Sequence, residues 1–202
     1  MLLIHKSTEE KLTRDNTMFM KVFERVNELV GEKDTVFSHL VVDNIDVYEN
    51  HEVYINDRLL EIMRIEIVTK TAAVSIHETM DSIHEYLERA IPALKELVNN
   101  SFESFDSNIW NGINQLAEGM QWILQFTAFV EGRDHKPSHW GDIEKSISQC
   151  EASFKQLMEG IESEDTVLIS DILSYEITPA YEELKDSLEK SLHDKEFFRD
   201  AH

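Results

Sequence analysis

The chain has 202 residues, 42% hydrophobic and 29% charged, an ordinary globular balance in a length that can bury a real core. The charge is not ordinary: 40 acidic against 19 basic residues leave a formal net charge of −21. With no Lys/Arg cluster to offset it, such a surface repels phosphate backbones and anionic headgroups, which argues against nucleic-acid and membrane partners.

The opening residues Met1–Ile4 are apolar but too few for a secretory signal, so a cytoplasmic location is expected. A first helix is expected from about Thr17 to Val30, with Phe19, Val22, Phe23, Val26, Leu29 and Val30 on one side and Gly31 ending it in a left-handed conformation. The period then changes. Val36 to Val42 alternates in a mixture rich in β-branched residues, Asp43-Asn44 is a turn signal, and Ile45 and Val47 return as a second strand. Glu49 to Met63 reads as helix and Ile65 to Thr69 as a third strand. This order implies a small mixed α/β module over residues 1–70, whose sheet needs a cover for its apolar face.

From Ala73 to Leu192 the pattern is helical, in four long stretches. The first carries Ile76, Met80, Ile83, Leu87, Ala90, Leu94 and Leu97, with Ser75 and Glu78 in the form of a capping box. The second runs from a cap at Ser107 to Gly132, and the third from Ser138 to Gly160. The third stripe is Trp140, Ile143, Ile147, Cys150, Phe154, Leu157 and Ile161. The fourth starts at Ser163, is interrupted by Pro179, and gives way to an acidic tail that Phe197 and Phe198 could dock. Pro92 and Pro179 each lack a donor and crowd the carbonyl four residues back, so kinks are expected near Arg89 and Tyr175. Apolar stripes of this kind bury against one another, and short joints favour an up-down-up-down order. The expected fold class is α+β, predominantly α: the mixed module, then an antiparallel four-helix bundle over residues 71–202.

Few residues suggest chemistry. His77, Asp81, His84 and Glu88 project from neighbouring positions of the first long helix and could ligate a metal, with His135 or His139 as a further donor. Against this, the core stripe leaves both histidines on its flank, and the paired Glu-x-x-His elements of di-iron bundles are missing. There is no Gly-x-Ser-x-Gly, the sole cysteine, Cys150, sits on a core stripe, and six glycines leave no phosphate-cradling loop. Pairs such as Asp165 and Asp171 read as surface carboxylates in so acidic a chain. No cofactor is therefore expected, and the sequence leans away from an enzyme.

One element stands out. Beside the core stripe Ile109, Ile113, Leu116, Met120, Ile123, Thr127 and Val130, the second long helix carries a second stripe of Trp122, Phe126 and Phe129. Adjacent helical positions diverge by about 100°, so these aromatics need a cover of their own: the N-terminal module or another chain. The expectation is a non-enzymatic cytosolic interaction protein, adaptor-like or chaperone-like, that uses apolar helix surface to bind a protein partner or to form a homo-oligomer. Trp122, Phe126 and Phe129 are its expected contact residues. The alternative is a metal-dependent enzyme with its site at His77, Asp81 and His84.

Overall fold

The computed structural model of the chain describes residues 1–31, 34–134 and 136–194; the expected contributions of His135, Phe197 and Phe198 lie outside the described residues. The chain is α+β and divides into two compact units, Met1–Ser75 and Ile76–His202.

The first unit is a five-stranded mixed sheet with two helices. Its elements are β1 (Leu2–His5), β2 (Thr8–Lys11), α1 (Met18–Val30), β3 (Thr35–Val42), β4 (Ile45–Val47), α2 (His51–Asp57) and β5 (Arg64–Thr71). The strand order is β2-β1-β5-β3-β4, with β1 parallel to β5 and the other pairs antiparallel. Alternation fixes the register: Leu40 lies opposite both Ile67 and Val47, while Ile65 lies opposite Val42 and Leu3. These residues share one core with Met18, Val22, Val26 and Leu29 of α1 and Ile55 of α2. Each such side chain stabilises the unit by roughly 1.5–3 kcal/mol on burial.

The Asp43-Asn44 turn forms as the sequence indicates, with φ of 48° and 69° at its two residues. Asp43 does more than turn the chain. Its carboxylate accepts from the backbone N–H of Met63 at 3.1 Å and of Arg64 at 2.8 Å, tying the hairpin to the start of β5. Asp15 plays a similar part before α1, accepting from the Thr17 backbone N–H and from the hydroxyls of Thr13 and Thr17. Those side-chain hydrogen bonds hold its carboxyl well below the usual carboxylate range.

Several expectations need correction here. β1 and β2 lie in a stretch of the module to which the sequence assigns no element; four residues of strand leave too little alternation to see. The helix expected over Glu49–Met63 shortens to His51–Asp57, since Ile62 and Met63 lead into β5 rather than continue it. Gly31 ends α1 at φ −69°, in the right-handed region.

The second unit contains most of α3 (Ala72–Glu103), then α4 (Ser107–Glu131), α5 (Trp140–Glu162), α6 (Thr166–Ile172), a π-helical segment (Leu173–Ile177) and α7 (Thr178–Leu192). Their apolar stripes meet in one core. All of Ile76, Met80, Ile83, Leu87 and Leu94, and all of Ile109, Ile113, Leu116, Met120, Ile123 and Val130, are buried; Phe154 and Ile161 of the third stripe are half-buried.

The caps differ from the serine-and-glycine punctuation of the sequence. α3 follows β5 directly, so Ser75 lies inside it and the capping box does not form its start; Thr71 Oγ1 instead accepts from the Val74 N–H. Asp106 and Asp165, not Ser107 and Ser163, cap α4 and α6, accepting from Asn108 N–H at 2.8 Å and Leu168 N–H at 3.0 Å. A carboxylate adds favourable charge at the positive end of the helix dipole, which a hydroxyl lacks. His139, in the left-handed region at φ 59°, precedes α5 where Ser138 was expected to cap it. Gly160 does not end α5. It is buried, and a Cβ there would meet Ile169 Cγ1 of α6 at 3.3 Å, so its smallness serves helix packing.

The two prolines behave differently. α3 runs unbroken through Pro92. Before Pro179 the fourth stretch widens into the π segment, where both the N–H and the hydroxyl of Thr178 donate to the Leu173 carbonyl, the latter at 2.8 Å. Pro179 then sits in the first turn of α7, where a missing donor costs little.

Candidate binding surfaces of the helical unit

The aromatic stripe of α4 is divided by its surroundings. Phe126 is 4% exposed and packs edge-on against Trp140 of α5, ring centroids 5.9 Å apart. The unit's own core thus covers the residue that the sequence leaves facing outward. Trp122 and Phe129 are half-buried: Trp122 meets Tyr86 of α3 edge-on at 6.2 Å, and the Arg133 guanidinium lies 4.6 Å from the Phe129 centroid.

His77, Asp81 and His84 do not converge. Among the described residues no group of three or more His, Cys, Asp or Glu is arranged to hold a metal ion. Asp81 is exposed and His77 half-buried, whereas His84 turns Nε2 into the protein, buried and without a hydrogen-bond partner. The other donor within the described residues, His139, lies 4.0 Å from Asp142. Cys150 is fully buried, and burial pushes its thiol up to about 12, so the thiol stays protonated at neutral pH.

Several hollows mark the surface of the unit. The first is a groove of about 440 Å³ between α3 and α4. Ala90, Ala93, Leu97, Gly112 and Leu116 make its apolar floor, and Arg89, Asn111 and Gln115 stand among them. Glycine lets the helices approach: a Cβ on Gly112 would come within 2.6 Å of Leu97 Cδ1, and one on Gly119 within 2.0 Å of the Tyr86 hydroxyl. The Tyr181 hydroxyl donates to the Leu116 carbonyl at 3.5 Å and neighbours the Tyr86 hydroxyl. Burial first, and then the neighbouring phenol, keeps Tyr181 neutral well above the usual tyrosine range. This phenol pair joins α3, α4 and α7 at the back of the groove.

The second surface runs along α5 beside α6, the π segment and the start of α7. It consists of two hollows of about 470 and 270 Å³ that share Gln156, Tyr175 and Glu176. Tyr175 is 71% exposed, and Leu168 adds a further exposed apolar side chain. Glu159, Asp171, Glu176 and Glu183 line the hollows, and among the described residues no basic side chain does. The π turn is what sets Tyr175 here, because the wider turn shifts the helical phase between Ile172 and Ile177, which both stay buried. From sequence alone, the proline four residues after Tyr175 was the available signal for this irregularity; the position of the groove was not legible.

No described helix is long and apolar enough to cross a membrane. No curated protein and no solved structure matches the chain. The segment that carries both grooves, residues 78–187, matches the family described as Domain of unknown function (DUF8042), and the chain belongs to that family.

Proposed function

We propose that this chain is a non-enzymatic, cytoplasmic interaction protein whose helical unit, an antiparallel four-helix bundle with a π-interrupted fourth helix, binds a basic and partly apolar segment of a partner protein. The observation that carries this reading is Tyr175. A large aromatic ring held 71% exposed on a π turn, between hollows lined among the described residues by four carboxylates and no cation, suits a ligand that brings apolar side chains and positive charge together. The net charge of −21 acts in the same sense, attracting a cationic partner at long range and disfavouring nucleic acid and anionic membrane. Trp122 and Phe129, half-buried on α4, form a smaller second contact, and self-association through them is the homo-oligomeric variant of this proposal.

Calorimetric titration of the full chain with two short amphipathic peptides, one of leucine and lysine and one of leucine and glutamate, tests it. The Leu–Lys peptide should bind, more weakly as salt rises, and the Leu–Glu peptide should not. Tyr175→Ser and Glu176→Gln, both at exposed positions, should each weaken binding without moving the melting temperature. Equal binding of the two peptides, or binding indifferent to both substitutions, would contradict the proposal.

A further inference from the structure

We propose that the α3–α4 groove is a second, independent site, which takes a small monocarboxylate with an apolar body and holds its charge on Arg89. A volume of about 440 Å³ falls within the range of small-molecule pockets, and the groove has their usual make-up, an apolar floor with few polar groups. Among the described residues, Arg89 is the only charged one that lines it.

The state of that arginine is the informative point. Cations are scarce in this chain, and those nearby are engaged: Lys95 of α3 lies 2.6 Å from Glu182, and Lys185 of α7 lies 3.8 Å from Glu88. Arg89 makes no ion pair or hydrogen bond among the described residues, although Glu85 stands one helical turn before it. Its guanidinium is therefore free to meet a carboxylate, by the bidentate geometry that suits both groups. Asn111 and Gln115, one turn apart on α4, likewise have side-chain amides without partners among the described residues, and they supply neutral donors beside the charge. Leu97, seated against Gly112, and the alanines of α3 offer contact to an apolar body.

Charge balance sets the class of ligand. One cation in a chain of net charge −21 can offset one negative charge; a phosphate dianion, or a peptide with several carboxylates, would carry uncompensated repulsion. A single carboxylate on a compact apolar group meets both requirements.

The test uses the full chain and a matched pair of probes, 2-naphthaleneacetate and its neutral amide, titrated calorimetrically. The carboxylate should bind saturably and at least tenfold more tightly than the amide. Arg89→Gln should bring the carboxylate down to the affinity of the amide, and Arg89→Lys should keep part of the preference. Ala93→Phe, which fills the groove from an exposed position, should abolish binding of both, and all three variants should melt like the parent. Equal affinity for the two probes, a preference that survives Arg89→Gln, binding that survives Ala93→Phe, or no saturable binding of either probe would each overturn the assignment.

Discussion

His84 shows how much a single atom can say. Its Nε2 is buried without a partner, and an unmatched polar atom in the protein interior costs about 1–3 kcal/mol. His84→Leu, which fills similar space without the polar atom, is therefore expected to be neutral or stabilising by up to about 2 kcal/mol, read from chemical denaturation. A loss of more than about 1 kcal/mol would show that the imidazole is satisfied in solution. The sequence placed this histidine on the flank of the core stripe but gave no means of knowing which way its ring turns. The same limit explains Phe126. Position on a helical wheel separates it from Ile123, yet only the seating of Trp140 from α5 reveals that it is buried.

At the scale of elements, glycines that look alike in sequence act in opposite ways. Gly119 faces the Tyr86 hydroxyl, which an added Cβ would approach to 2.0 Å, whereas nothing lies within 4 Å of a Cβ at Gly141. Gly119→Ala should destabilise by roughly 1–3 kcal/mol, through overpacking and displacement of the phenol pair. Gly141→Ala should stabilise by roughly 0.5–1 kcal/mol, through helix propensity alone. Thermal melts of both variants check the contrast, and a shift of the same sign in both would contradict it. What was legible at this scale followed periodicity. The core stripes of α3 and α4 and the hairpin at Asp43-Asn44 stand out because their patterns run for many residues or use residues suited to positive φ. Helix ends were less legible, since serine and aspartate both cap and the choice between Ser107 and Asp106 rests on one residue of register. The π segment was legible only as a disturbance near Pro179.

For the whole molecule, the buried ionisable groups set the response to pH. Cys150, Tyr86 and Tyr181 all titrate above their ordinary ranges because burial favours the neutral form. The folded chain then keeps protons that the unfolded chain releases. Their contribution is complete below the ordinary thiol pKa of about 8.5 and declines as pH rises toward about 12, the value for Cys150. For Cys150 the loss is on the order of 1 kcal/mol per pH unit over the range in which its thiol is ionised only in the unfolded chain. Urea denaturation between pH 7 and 11 should show a stability that is flat and then falls, with a shallower fall in Tyr181→Phe. The proposed docking of a basic partner segment around Tyr175 depends on the field of the whole chain as well as on one ring. Its most direct measurement is a map of backbone amide shifts in the ¹⁵N-labelled full chain during titration with the Leu–Lys peptide. Such docking should give shifts centred on Gln156, Tyr175 and Glu176 and extending along α5 and the start of α7. Shifts centred instead on Trp122 and Phe129, shifts centred on the groove at Arg89, or a spectrum that does not change would contradict it.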